Sequence, residues 1–447
     1  MGIPENGKIN DKTNDKTKDK SNGETLNVNS MAESANTKTI KAPPAPTENP
    51  APGIGIDVLA RRAAVFYEQG HLEAARQLSL EIATRYRGHV ETLLTLAHTL
   101  RDMGRFDEAI TVLQRIARID RDNARAHAAY ALTLFYKEDW TRAWRAYDVR
   151  FKLMESPPQV TVPDKDGKPV KLAPWRKGPP PASLLVLGEQ GLGDTIMFAR
   201  FLPLLTQQGV KITAVVQGML FDLLKTLDAD IEFRPIEKPG SVRGIKGWTP
   251  LMHLPQALGL TPEQFIPKMP YLRAEPERVA RRKKQLGKHG FKVGIVWQGN
   301  YDPRIDQGRS APLSAFAPLA EIPGVRLISL QRGKAEEDIG KVAFGSKIEN
   351  PGADIDLATD GFRETAALVE AVDLVVSVDT SVAHVAGALN KPVIIMIKRL
   401  GSDWRWLYGR SDTVWYPAVR LLRQAMPGDW TELLARVAQE VRQRAKN

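Results

Sequence analysis

Near the carboxyl-terminal end of the chain, Asp379-Thr380-Ser381 puts polar groups into an otherwise apolar stretch. The run Asp373-Leu374-Val375-Val376-Ser377-Val378 before them predicts a buried strand, and Val382 through Leu389 after them a short helix. Asp379, Thr380 and Ser381 therefore fall at a helix N-terminus, where unpaired N–H groups and the positive end of the dipole favour an anion. A phosphate fits such a mouth. His384 lies four residues after Thr380 and so shares a helix face with it. No second histidine or carboxylate stands four residues further on to make a metal pair, so His384 is read as a ligand or phosphate contact.

Two further segments carry candidate groups for the same anion. Val296-Trp297-Gln298-Gly299-Asn300 leads to Arg309-Ser310-Ala311-Pro312-Leu313, and Ile328-Ser329-Leu330 leads to Gln331-Arg332-Gly333. Each follows a predicted strand, which puts Arg309 and Gln331 on the sheet edge that carries Asp379. Arg309 offers a forked donor that a lysine cannot match, although a surface ion pair is the commoner fate of any one arginine.

A carboxylate stands elsewhere, after the strand Leu184-Leu185-Val186-Leu187. The following Gly188-Glu189-Gln190-Gly191-Leu192-Gly193-Asp194-Thr195 is not a phosphate-cradling loop: no lysine precedes Thr195, and the spacing is not that of a dinucleotide fingerprint. Gly191 and Gly193 make a tight turn that brings backbone to a sheet edge, with Asp194 at its mouth. Asp194 can cap the following helix or act as a base, and the residues alone leave both open.

These side chains need a scaffold. From Leu184 onward, short β-rich runs (Leu184 to Leu187, Ile212 to Val216, Val293 to Trp297, Val325 to Ser329, Leu374 to Val378, Val393 to Ile397) alternate with helical patterns. Such alternation predicts parallel sheets with helical crossovers. The basic helical segment Glu275 to Gly287 reads as a boundary, giving lobes at 183–287 and 288–447 with a cleft between them. A proline-rich linker spans 156–182, and residues 1–53 are too poor in large apolar side chains to offset the entropy of ordering, so they are expected to be disordered.

Composition narrows the function. The 447 residues carry a formal charge of +11, but Lys and Arg are spread along the chain rather than gathered with aromatics into a stripe, which argues against a nucleic-acid partner. The densest cluster, Arg281-Arg282-Lys283-Lys284, reads as one solvated helix face, leaving at most peripheral membrane contact. There is no cysteine, hence no disulfide framework and no thiolate nucleophile, and no apolar signal segment opens the chain. The most apolar stretch, Val372 to Ile397, is broken by Asp373, Asp379, His384 and Lys391. A cytoplasmic protein is expected.

Residues 57–155 repeat with a period of 34: Gly70-His71-Leu72, Gly104-Arg105-Phe106 and Glu138-Asp139-Trp140 mark it, with Ala63, Ala97 and Ala131 before each turn and Ala75, Ala109 and Ala143 after it. Small residues at helix crossings on this period resemble tetratricopeptide repeats, whose usual role is to bind a protein partner. The third copy lacks the turn glycine and has Trp140 and Trp144, as a terminal repeat packed on its neighbour would.

Gly193-Asp194 with Pro203 and Leu204 downstream, and Asp379-Thr380-x-x-x-His384-x-x-x-Ala388-x-x-x-Pro392, resemble glycosyltransferase family 9, the ADP-heptose:lipopolysaccharide heptosyltransferases of bacteria. More closely, Arg309-Ser-x-Pro-Leu, Ser329-Leu-Gln, Asp403-Trp-Arg-Trp and Trp415-Tyr-Pro resemble the members that carry tetratricopeptide repeats ahead of the transferase domain. The resemblance implies a GT-B fold of two Rossmann-like lobes behind the helical repeats, with acceptor on the first lobe and nucleotide sugar on the second. It implies Asp194 as general base, and Asp379, Thr380, Ser381 and His384 with Arg309 around the donor diphosphate. Arg309 stands where heptosyltransferases usually have lysine, and Ser381 where they have glycine, which leaves the donor sugar open.

The implied activity is inverting sugar transfer from a nucleotide sugar to a glycan or protein acceptor, without cofactor or metal. No Asp-x-Asp pair follows any of the predicted strands. A non-catalytic ligand-binding scaffold, or an epimerase or hydrolase on the same fold, are the alternatives this sequence leaves standing.

Overall fold

The computed structural model describes residues 55–153, 159–164, 166–240, 242–352, 355 and 361–446, so the tail expected to be disordered lies outside it. Three helical hairpins come first: α1 (Ile56–Glu68) with α2 (Leu72–Arg85), α3 (Val90–Asp102) with α4 (Phe106–Ile119), and α5 (Ala124–Tyr136) with α6 (Trp140–Tyr147). The alanines on the 34-residue period are the crossing points. Ala63, Ala75, Ala97, Ala109, Ala131 and Ala143 are all buried, which lets paired helices approach closely.

Between the helices of each hairpin the backbone must turn left-handed. Gly70 (φ 81°) and Gly104 (φ 78°) do so freely, and in the third repeat Glu138 takes the same region at φ 61°. All three turns face the carboxyl-terminal lobe. A β-carbon on Gly70 would sit 2.6 Å from Pro427, and one on Gly104 2.8 Å from Tyr408. Glu138 instead pairs with Arg410 at 3.1 Å. The period thus sets a docking edge as well as a helix spacing.

The segment read as a linker carries structure of its own. β1 (Thr161–Pro163) and β2 (Pro169–Lys171) pair antiparallel, and Val160, Val162 and Leu172 pack with Trp248 of the first lobe. The alternation of Val160 and Val162 is too short to read against so many prolines.

The first lobe contains β3 (Ser183–Leu187), β4 (Lys211–Val216), β5 (Ile231–Pro235) and β6 (Gly247–Pro250), all parallel in the order β5-β4-β3-β6. The second contains β7 (Phe291–Val296), β8 (Val325–Ser329), β9 (Ile348–Glu349), β10 (Leu374–Val378), β11 (Val393–Ile397) and β12 (Val419–Arg423), parallel in the order β12-β11-β10-β7-β8-β9. Both are doubly wound sheets, and in each the order reverses beside the first strand: between β3 and β6, and between β7 and β10. Ligands of such sheets sit at the carboxyl ends of the strands at the reversal. β5, β6, β9 and β12 went unread because they are short or carry Gly, Pro and Arg, so their strand character comes from pairing to a neighbour.

The basic helix is Pro276–Leu286, ended by Gly287 at φ 68°. Its charges are not one solvated face, a correction to the sequence-based expectation. Arg282 is buried and pairs with Glu364 at 2.8 Å, and Arg278 and Arg281 reach the same carboxylate. Three guanidiniums on one buried acid pin this helix to the helix Gly361–Ala371 of the second lobe. Among the described residues no helix is long and apolar enough to cross a membrane.

Candidate active site between the two lobes

Asp194 lies in the first turn of α7 (Leu192–Ala199), at the end of the β3 loop. Its Oδ2 accepts the Gly191 N–H at 2.8 Å, so it does cap the helix. Its Oδ1 is free of that duty and pairs with Arg405 of the second lobe. Burial pushes the Asp194 carboxyl up while the Arg405 guanidinium pulls it down, leaving it above the usual carboxylate value. One oxygen holds the turn and the other faces the cleft.

Across the cleft, Thr380 is the N-cap of the helix Ser381–Ala388, in extended backbone (φ −139°, ψ 166°), and its side chain makes no capping bond. Thr380 Oγ1 is shared with Ser377 Oγ at 2.9 Å instead. The first amides of the helix, beginning with Ser381, therefore carry no side-chain cap. Asp379 is half-buried beside them and is pushed up to about 6 by burial and by the neighbouring Asp403, against the pull of Arg309.

His384 is buried on the same helix. Its Nδ1 meets the Tyr416 hydroxyl at 2.8 Å, and its ring stacks on Trp406 at 5.3 Å. Burial and the surrounding Arg405, Arg200 and Arg309 lower its pKa to about 3, so it is neutral at physiological pH. Gly193 packs directly on this ring: a β-carbon there would lie 2.6 Å from Cδ2 and 3.2 Å from Nε2. Gly193 is what allows the two lobes to meet at this point.

Arg309 follows the loop after β7, and its Nε, buried and without a hydrogen-bond partner among the described residues, lies 3.9 Å from Asp306. Gly299 lets the guanidinium pass, since a β-carbon there would be 3.3 Å from Nε. Gln331 is spent on the scaffold. Its Oε1 accepts the Trp297 and Gln298 amides at 3.2 and 3.0 Å, fixing the loop that leads to Arg309.

The geometry adds residues the sequence did not single out. Lys398 directly follows β11, its Nζ donates to the Gln307 carbonyl at 2.7 Å, and burial and Arg309 lower its pKa. Its place just past a strand end was the available signal. Arg405 is the other. It donates twice to Asp403 at 2.9 Å while reaching Asp194, and stacks over Trp404 at 4.6 Å. The Asp403-Trp404-Arg405-Trp406 and Trp415-Tyr416 segments could have served base stacking or packing, and the structure uses the tryptophans for packing. Trp404 stacks on Phe135 of the repeats at 4.0 Å, and Trp415 on Phe265 at 4.5 Å. Among the described residues no cluster of three or more His, Cys, Asp or Glu could hold a metal ion.

A helical-repeat domain docked on two facing Rossmann-like lobes has the architecture of the GT-B class with repeats ahead of it. Comparison with known families agrees: a tetratricopeptide-repeat family matches residues 57–132, and glycosyltransferase family 9 (heptosyltransferase) matches residues 345–397. The chain thus carries a segment similar to tetratricopeptide repeats and a segment similar to glycosyltransferase family 9.

Among curated proteins it is similar to Protein FlbA of Caulobacter vibrioides, 30% identical over 322 residues that cover 67% of this chain and 52% of the relative. The chain thus spans about half the length of that relative. Among solved structures, ADP-heptose lps heptosyltransferase II of E. coli is 15% identical with a TM-score of 0.41, covering 58% of this chain and 97% of that one. A glycosyl transferase family 9 protein from Veillonella parvula is 13% identical with a TM-score of 0.40, covering 56% and 88%.

Proposed function

We propose that this protein is an inverting, metal-independent glycosyltransferase that moves a sugar from a nucleotide-sugar donor to a glycan or protein acceptor. The observation that supports the proposal is the contact of Gly193 with His384, which brings the loop carrying Asp194 against the helix Ser381–Ala388, whose N-terminus has no side-chain cap. Asp194 takes the proton of the acceptor hydroxyl. Arg405 opposes the burial that raises its pKa, favouring the ionised form that a base needs.

The donor lies at the reversal between β7 and β10, its diphosphate at the amides that begin with Ser381. Arg309 and Lys398 supply positive charge where the leaving diphosphate gains negative charge. Asp379, Thr380 and His384 shape that pocket, and Gly191 and Gly193 bring the base to it. One base acting from the face opposite the leaving group inverts the anomeric carbon, and the close lobes keep water from competing. The acceptor approaches the first lobe, near the edge on which the repeats present a protein-binding surface.

The test is turnover of a panel of nucleotide sugars with and without candidate acceptors, in wild type, Asp194→Asn and Asp194→Ala. Release of nucleoside diphosphate coupled to an inverted product, undiminished by chelator and lost in both variants, is expected. Binding without turnover would make the protein a scaffold. Product formed with no acceptor present would make it a hydrolase or epimerase.

A further inference from the structure

The first helices of the three repeats end on a buried polar cluster that leads to the cleft. Tyr67 closes α1, Arg101 and Asp102 close α3, and Tyr136 closes α5, with Tyr67 to Arg101 and Asp102 to Tyr136 each 34 positions apart. The Asp102 carboxylate is 5% exposed and accepts three hydrogen bonds: Tyr67 Oη at 2.8 Å, Arg101 Nε at 2.9 Å, and the backbone N–H of Gly401 at 3.1 Å. Arg101 lies over the Tyr136 ring at 5.5 Å, and the Tyr136 hydroxyl donates to the Ser402 carbonyl. Gly401 and Ser402 lead directly into Asp403 and Arg405, the partners that reach Asp194.

Burial makes these bonds consequential. A buried carboxylate with three donors holds its charge, and Asp102 does stay below the usual carboxylate value although burial alone would raise it. Without it, the Gly401 N–H and the buried Arg101 would lose their partner, and the loop would settle elsewhere. Trp404, between Asp403 and Arg405, stacks on Phe135 at 4.0 Å, so the polar anchor acts beside an apolar one from the same repeats. The position of the guanidinium that faces Asp194 is therefore set partly by residues of the repeats.

We infer that Asp102, with Tyr136, is a positioning residue for the transfer reaction: by fixing Gly401 and Ser402 it places Arg405 on Asp194, so the repeats complete the site as well as present a surface. This rests on Asp194 being the base. Spatial continuity alone does not establish coupling, so the test is a double-mutant one.

Full-length Asp102→Ala, Tyr136→Phe and the double variant are compared with Glu91→Ala, on the same helix as Asp102, which removes only an exposed pair with Arg125 of α5 at 2.8 Å. Circular dichroism and thermal unfolding establish that each variant is folded. Two readouts follow, amide hydrogen exchange of residues 401–405 and the pH profile of kcat. In Asp102→Ala, exchange across 401–405 rises at least ~10-fold. Its kcat falls ~10-fold with KM for donor little changed, and the acid limb of the profile moves to higher pH because Asp194 loses part of its counter-charge.

Tyr136→Phe gives the same pattern more weakly, the double variant less than the product of the two, and Glu91→Ala gives neither effect. A folded Asp102→Ala with wild-type exchange at 401–405 and an unmoved acid limb overturns the inference. The exchange measurement needs no turnover. Loosened exchange in a protein that turns over no donor would count against the transferase assignment and leave the anchoring of the loop standing, and the reverse pair of results would do the opposite.

Discussion

Gly193 of the first lobe and His384 of the second are in van der Waals contact, and no side chain larger than hydrogen fits at Gly193 without displacing the ring. His384 cannot swing away, because Tyr416 holds its Nδ1 at 2.8 Å and Trp406 covers its face. Gly193→Ala is therefore expected to push the lobes apart locally. Overpacking of this kind costs about 1–3 kcal/mol, and thermal unfolding should show it together with a loss of turnover. An alanine variant as stable and active as wild type would mean that the lobes do not work in this closed arrangement.

Asp194→Asn keeps the shape of the side chain and removes its basicity. General-base catalysis contributes ~10²–10⁴-fold, and a fall of that size in kcat with little change in donor KM is the expected result. Steady-state kinetics at several pH values will check it. An effect confined to KM would assign Asp194 to acceptor binding.

Arg309→Ala should reduce kcat by ~10²–10³-fold, the usual cost of losing one donor to developing negative charge. Arg309→Lys should recover part of it, since the charge returns without the fork. Comparing kcat/KM of the two variants with the same donor separates charge from geometry.

Asp379 titrates at about 6 when folded against an ordinary 3.8, so the folded protein holds this proton more tightly than the unfolded chain does. Its contribution to stability is largest below pH ~4, falls as pH rises to about 6, and is level above that. A bound diphosphate beside it raises that value further, so nucleotide-sugar affinity should increase as pH falls through about 6, with uptake of a proton. Calorimetric titration in two buffers of different ionisation enthalpy will detect the uptake. Asp379→Asn should abolish both trends.

Arg150 and Glu189 join the repeats to the β3 loop through two hydrogen bonds of 2.8 and 2.9 Å, with both side chains buried. Glu189 Oε1 also accepts the Met252 amide at 3.1 Å. Glu189→Ala leaves the buried Arg150 guanidinium with Asp148 at 3.1 Å as its remaining charge partner and is expected to cost at most about 3–5 kcal/mol by chemical denaturation, with Arg150→Met plus Glu189→Ala costing less than Glu189→Ala alone. A loss under 1 kcal/mol would show that water reaches Arg150.

Periodicity determined much of this protein on its own. The 34-residue spacing of glycines and alanines is a packing requirement of helix against helix, so it must be written locally, and the buried runs from Leu184 to Ile397 carry their strand character in β-branched side chains. The polar interruptions at Gly191 to Asp194 and Asp379 to His384 were visible for the same reason: polar residues at strand ends are conspicuous against apolar neighbours.

What only the tertiary structure decided is which of these groups meet. Residues 193 and 384 stand 191 positions apart, and nothing local encodes that the ring of one lies on the backbone of the other. The same holds for Arg405, which reads in sequence as part of an aromatic segment and becomes the counter-charge of Asp194 only when the second lobe closes on the first. Burial turned the tryptophans beside it into packing between repeats and lobes, and it set the proton affinities of Asp194, Asp379 and His384, because desolvation depends on everything that surrounds a group rather than on its neighbours in the chain.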